Sequence, residues 1–187
     1  MAKKHLNTGN NLNIHIKILT APTRFTIEQM IDAMAEVYST IGISVNMLST
    51  EELDISRGSD LSSLNRLDVG ACNMNGSPSE EQEKLSEHRK NASSKDIVVY
   101  FCRSVHCNVG FLHGCGSSFP PHKPMVAVAK DATLYTLAHE VGHALGLNHA
   151  KNRDRLMTVQ GTERITNPPP NLVRSEAQKI LLSGLIV

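Results

Sequence analysis

Apolar and polar residues alternate along Leu12-Asn13-Ile14-His15-Ile16-Lys17-Ile18-Leu19, the period-two pattern of a half-buried strand. Ala21-Pro22-Thr23 reads as the turn after it. The period then lengthens. Ile27, Met30, Ile31, Met34, Val37, Tyr38 and Ile41 recur at helical spacing, which predicts an amphipathic helix with its methionines in the core. Thr26 and Gln29 frame its start as a capping box, and Phe25 and Met30 are placed to form a hydrophobic staple. Gly42 suits its end. Alternation returns over Ile43-Ser44-Val45-Asn46-Met47-Leu48. A strand, a helix and a strand in this order imply a right-handed crossover and a parallel pair.

Residues 49–95 break the pattern, with many Ser, Asn and charged residues and few large apolar ones. Within them Ser77-Pro78-Ser79-Glu80 reads as a capping box with proline in the first helical position. It predicts a solvated helix through about Arg89, with Glu80-Glu81-Gln82-Glu83-Lys84 on its wet face. Asp96-Ile97-Val98-Val99-Tyr100-Phe101-Cys102 is almost continuously apolar, as in a central strand covered on both faces. Gly110-Phe111-Leu112-His113-Gly114-Cys115-Gly116 is glycine-punctuated and suits an exposed edge strand. Phe119 to Pro124 would end it, and Met125-Val126-Ala127-Val128-Ala129 is the last strand. Asp131 is placed to cap a helix from about Ala132 to Leu145. Ser175-Glu176-Ala177-Gln178 opens a final short helix ended by Gly184. Residues 1–11 read as a frayed polar arm. The expected fold class is α+β.

At 187 residues the chain is expected to form a single domain. Its net charge of +1 gives no reason to expect nucleic acid or an anionic membrane as partner. No run of about 18 apolar residues predicts a membrane span. The start, Met1-Ala2-Lys3-Lys4-His5-Leu6-Asn7, lacks the apolar stretch of a Sec signal. Asn75-Gly76-Ser77 and Asn91-Ala92-Ser93 match the glycosylation pattern, which matters only in a eukaryotic secretory pathway. His5, His15 and His88 read as surface histidines.

Chemistry concentrates in His139-Glu140-Val141-Gly142-His143-Ala144-Leu145-Gly146-Leu147-Asn148-His149, an H-E-x-x-H-x-x-G-x-x-H motif. On a helix His139 and His143 lie one turn apart on one face, so both imidazoles can reach one ion. Gly146 lets the helix stop in a left-handed turn. His149 can then return to the same ion. Three neutral imidazoles with an open position form the ligand set of a catalytic Zn2+. Glu140 is placed as general base and acid for a metal-activated water. Met157 follows eight residues after His149.

Together these residues resemble the metzincin clan of zinc peptidases, which pairs this motif with a methionine turn. Leu137 to Leu147 looks most like the matrixin branch, the matrix metalloproteinase catalytic domains. The resemblance implies a twisted, mixed five-stranded sheet with an antiparallel edge strand and two long helices. It divides the domain into an N-terminal subdomain, 1–146, and a small C-terminal one, 147–187, with the Met-turn and final helix. It implies that Met157 packs under the metal without ligating it. It also implies that Thr158 to about Pro168 walls a specificity pocket.

The sequence departs from the clan in some respects. Thr158 follows the methionine and no tyrosine lies downstream, so a tyrosine ligand or oxyanion aid has no counterpart. Matrixin calcium and structural-zinc loops are not recognisable, so a second structural zinc or calcium has no motif behind it. No pro-segment with a cysteine switch precedes the first strand; Cys72 could in principle block the zinc but reads as a structural or free cysteine.

Cys72, Cys102, Cys107 and Cys115 allow two disulfides in three connectivities. Cys102, His106, Cys107, His113, Cys115 and His122 also fall close together, leaving disulfides, free thiols or a second metal open. The expected activity is that of a zinc-dependent endopeptidase acting on protein or peptide substrates. An extended substrate would add as a strand along Phe111, Leu112, His113, Gly114 and Cys115. A monomer is expected, secreted with its signal removed or by a non-Sec route, with a cytoplasmic location still open. Two alternatives stand beside this: a secreted toxin or effector protease with one target, and an inert zinc-binding module.

Overall fold

The computed structural model describes residues 9–56, 59–72, 77–119 and 123–187. In chain order these form β1 (Asn10–Ile18), α1 (Ile27–Ser39), β2 (Ile43–Glu52), α2 (Leu61–Leu64) and β3 (Arg66–Asp68). There follow α3 (Glu80–Ser86), β4 (Ile97–Cys102), β5 (Ser104–Cys107), β6 (Gly110–Leu112) and β7 (Gly114–Phe119). Finally come β8 (Lys123–Ala129), α4 (Thr136–Ala144) and α5 (Arg174–Leu181).

The main sheet has five strands in the order β2-β1-β4-β8-β7. Four run parallel, and β7 joins antiparallel at one edge, pairing Gly114 with Val128 through Phe119 with Lys123. The parallel β1–β2 pair is as the patterning predicts, and the five-stranded mixed sheet with an antiparallel edge is as the resemblance implies. The patterning also predicts α1, where Thr26 and Gln29 form the capping box. Gly42 takes φ 75 after it, a left-handed turn that glycine adopts without a Cβ penalty. β2 runs four residues beyond its alternating stretch. A register shift opposite Ile14/His15 breaks the alternation there, because a bulge moves later side chains to the other face.

One face of the sheet is covered by α1 and α4. Met30, Met34, Val37 and Tyr38 meet Ile14, Ile16, Val99, Phe101, Val126 and Val128, together with Leu137, Val141 and Leu145. Leu156, Met157, Ile180 and Leu185 from the C-terminal part join the same core. The Tyr38 hydroxyl donates to the Ala138 carbonyl at 3.0 Å, tying α1 to the histidine-bearing helix. Tyr38→Phe should lower stability by about 1 kcal/mol, read as a denaturation midpoint shift at constant slope.

The segment that breaks the sequence pattern covers the other face. Leu61, Leu64, Leu67, Val69, Leu85 and Val105 pack on Val98, Tyr100, Cys102, Met125 and Ala127. This layer has its own small sheet, β3-β5-β6, which the alternation does not reveal because its strands are three or four residues long.

Several expectations change as a result. The predicted wet helix is shorter. Ser79 rather than Ser77 caps it, accepting from the Gln82 amide at 3.1 Å. Gln82 and Leu85 are buried in the layer, so the charge run is not a uniformly solvated face. His15 is not a surface residue. It is 4% exposed, with Nδ1 2.7 Å from Ser49 Oγ and Nε2 3.4 Å from Asp96 Oδ2. Lys17 is buried beside it and pairs with Glu51. Both residues point to the face that alternation assigns to water and that the second layer in fact covers.

Residues 10–11 belong to β1 rather than to a frayed arm. Val173 is the N-cap of α5, two residues before the start of the predicted box, with its N–H donating to Glu176 Oε2 at 3.0 Å. The Asn75-Gly76-Ser77 pattern, His5 and His122 lie outside the described residues.

Candidate metal centre and active cleft

The histidine-bearing helix α4 starts at Thr136, not near Ala132. Its N-cap position is Tyr135, without a side-chain cap bond, and not Asp131; just ahead of it Thr133 N–H donates to Thr136 Oγ1 at 3.0 Å, and the two hydroxyls lie 2.9 Å apart. Thr133 also bonds Thr162, which fastens the wall of the cleft to the start of the helix. With nine residues α4 is shorter than the second long helix expected, whereas α1 has thirteen. Its end is a Schellman turn. Leu147 N–H donates to Gly142 O and Gly146 N–H to His143 O, both at 2.9 Å, with Gly146 at φ 90. That turn sends the chain back so that His149 faces the helix.

The metal-binding nitrogens of His139, His143 and His149 lie within 4.8 Å of one another. His139 Nδ1–H donates to the Leu156 carbonyl at 2.7 Å, and His143 Nδ1–H donates to the Leu147 carbonyl at 2.9 Å. A carbonyl can only accept, so these bonds fix the tautomer and turn each Nε2 lone pair inward. The Nε2 atoms of His143 and His149 are 3.1 Å apart.

Burial pulls His139 and His143 down to about 4 and also lowers His149, so the rings are neutral near pH 7. Neutral imidazoles held by second-nitrogen hydrogen bonds at close mutual range are the donor set that zinc takes. Among the described residues no other group of three such side chains converges.

Glu140 lies on the same helix, 8% exposed. Burial pushes its carboxyl up to about 8, and a hydrogen bond with the Gly116 backbone acts the other way. Two glycines of β7 make room for it. A Cβ on Gly114 would sit 2.6 Å from Glu140 Cγ, and one on Gly116 would sit 2.7 Å from the Glu140 carbonyl carbon. Gly142 is required for a similar reason. Its Cβ would meet Met157 Sδ at 2.5 Å, so the fully buried methionine lies directly against the turn between the two helical histidines.

His139, Glu140 and His149 open on a cavity of about 150 Å³, together with Leu112, His113, Gly114, Thr158, Val159, Gly161, Thr162 and Glu163. The segment after Met157 thus does line the cleft. The expected substrate strand Phe111–Cys115 is divided. Gly110–Leu112 forms β6 of the small sheet, and β7 begins only at Gly114. Leu112, His113 and Gly114 reach the cleft, whereas the Phe111 ring, 80% exposed, lies outside it. Cys115 turns to the opposite face, because side chains alternate along a strand, and is bonded to Cys72.

That bond excludes Cys72 as a free thiol able to block the cleft. It also removes Cys115 from any second metal set. Cys102 is wholly buried, and Cys107 is a free thiol. Sequence reasoning missed Gly116 and Gly142 as site-forming residues. Their signal was the glycine two positions from Gly114 on one strand face, and the glycine enclosed between the two helical histidines.

Comparison with known proteins agrees with this geometry. Metalloproteinase-II from Bacteroides fragilis superposes with a TM-score of 0.65 at 15% identity, over 94% of this chain and 54% of that one. The chain thus spans about half the length of that protein. Archaemetzincin from Methanopyrus kandleri gives a TM-score of 0.57 at 14% identity, over 92% of this chain and 95% of that one. A zinc-dependent peptidase from Methanocorpusculum labreanum gives 0.53 at 12% identity, over 89% and 99%. At such identities the likeness is one of fold. Among curated protein sequences none matches. The model of metallo-peptidase family M12B, reprolysin-like, matches residues 19–169, from the end of β1 past the last cleft-lining residue. A zinc-suited cluster of imidazoles thus sits inside a match that spans most of the chain, and the protein belongs to the reprolysin-like metallo-peptidase family M12B.

Proposed function

We propose that this protein is a zinc-dependent endopeptidase of metzincin type, with His139, His143 and His149 as zinc ligands and Glu140 as general base and acid. The observation that carries the reading is the gathering of three neutral imidazoles and one buried carboxyl on a single cleft. Zinc held there supplies Lewis-acid polarisation and an acidified water. Glu140 takes the proton of the attacking water and returns it to the leaving amine, a shuttle that needs a carboxyl close to neutrality. Met157 fills the space below the histidines and fixes their rings by packing.

A peptide is positioned along the open edge of β7 at Gly114 by main-chain hydrogen bonds. Thr158 to Glu163 forms the facing wall and meets the side chain next to the scissile bond. The matrixin likeness rests on Leu137 to Leu147 and the spacing from His149 to Met157, whereas the family model that matches is the reprolysin-like one. We place the protein in an oxidising compartment, acting as a monomer; the Cys72–Cys115 bond supports the first part, since such bonds persist outside the reducing cytosol.

Casein and internally quenched peptides provide the test. Hydrolysis should vanish with a zinc chelator and return when zinc is added back. Equal hydrolysis with and without chelator would overturn the reading. Zinc binding without any hydrolysis would favour the inert module. Cleavage of one protein target with no turnover of generic peptides would favour the effector protease.

A further inference from the structure

The cleft does not end at His113. A second cavity, of about 430 Å³, opens beside it and shares Leu112 and His113 with it. Arg66, Arg103 and Lys130 line this cavity, against the single carboxylate of Asp131. The three cations come from separate places. Arg66 opens β3, Arg103 lies between β4 and β5, and Lys130 follows β8. Their backbones are anchored. Arg66 is in register with Ser104 across the β3–β5 pair. Arg103 N–H donates to Asn65 Oδ1 at 2.8 Å, and the carbonyl of Lys130 accepts from Thr23 N–H at 2.7 Å.

Among the described residues no hydrogen bond or ion pair engages the charged ends of Arg66, Arg103 or Lys130. Asp131 Oδ1 lies 3.9 Å from His113 Nδ1. Three cations converging on one anion leave an excess of positive potential in the cavity, which favours a ligand of opposite sign. Guanidinium groups match the planar fork of a carboxylate. Phe111, its ring 4.5 Å from that of His106, adds an apolar flank.

We propose that this cavity extends the substrate site and takes an acidic side chain, Asp or Glu, of the bound peptide at a position flanking the scissile bond. The inference rests on the peptidase reading above, because the cavity adjoins the cleft at Leu112 and His113. The bound carboxylate lies between Arg66 and Arg103, with Lys130 closing the third side.

Two measurements test it. In the first, the zinc-loaded wild type and the Arg66→Glu/Arg103→Glu double variant each digest a mixed peptide library, and the cut sites are sequenced. Asp and Glu should be enriched at one flanking position for the wild type. The double variant should lose that enrichment by about tenfold, read as the ratio of acidic to neutral residues at that position among the sites it does cut. No acidic enrichment in the wild type, or the same enrichment in both proteins, overturns the inference.

In the second, the zinc-loaded Glu140→Gln chain, which binds without turnover, is titrated with fluorescent Glu-rich and Gln-rich peptides. The Glu-rich peptide should bind about tenfold more tightly at low salt, and the difference should shrink at high salt. Equal binding overturns the inference even where nothing is cleaved. Failure to cleave any library peptide defeats the peptidase reading instead. Lys130→Gln, which removes one charge and reverses none, should reduce the preference partly and guards against misfolding of the double variant.

Discussion

Replacing Glu140 with glutamine should lower peptide hydrolysis by about 1,000-fold while leaving zinc content unchanged, as expected when a positioned general acid–base is lost. Glutamine keeps the shape of the side chain, so the packing against Gly114 and Gly116 survives. It cannot take a proton from water. His139 and His143 keep their backbone-fixed tautomers, because the carbonyls of Leu156 and Leu147 that hold them are untouched. The measurement has two parts: kcat/KM on a quenched peptide, and metal content of the purified protein. Unchanged kcat/KM with full zinc would remove Glu140 from the mechanism. Loss of both together would mean that the substitution acts on the metal centre as a whole.

Among the described glycines, Gly116→Ala should be the most damaging substitution by a single methyl group. The added carbon would overlap the Glu140 carbonyl on the backbone of α4, and a helix backbone cannot rotate out of the way as a side chain can. Either β7 or α4 must shift. Overpacking of this kind costs about 3 kcal/mol, or about 10 °C in melting temperature for a domain of this size. Activity should fall along with stability, since the displaced residue is Glu140 itself. Ser117→Ala, one position along, is the control. Its hydroxyl is buried without a hydrogen-bond partner among the described residues, so its removal should be neutral or slightly stabilising. Differential scanning calorimetry of the two variants checks both signs. Equal melting temperatures would mean that α4 does not lie as close to β7 as described.

The two periodicities of the first fifty residues were legible because they report burial of one side of each element. β1 and α1 follow them closely, and Thr26 and Gln29 mark the helix start through local hydrogen bonds that depend on nothing distant. β4 was legible as an unbroken apolar run because both of its faces are covered. The flanking regions, residues 49–95 and 103–112, were not. Their strands are too short for a period to show, and their buried residues are buried against a sheet face that the local sequence does not contain. For the same reason His15 and Lys17, polar in an alternating strand, were assigned to water although the second layer encloses them.

The spacing of His139, Glu140, His143, Gly146 and His149 was enough on its own to set out the metal cluster. Helix pitch brings the first two histidines together, and one left-handed glycine returns the third, all within eleven residues. What the fold alone decided is everything that meets this cluster from far along the chain. The Leu156 carbonyl orients the His139 ring, Met157 packs against Gly142, and Gly114 and Gly116 let Glu140 lie against the edge strand. Cys72 reaches Cys115 across 43 positions. Arg66, Arg103 and Lys130 converge beside the cleft. Such contacts depend on which sheet face each segment covers, and no local period encodes that choice.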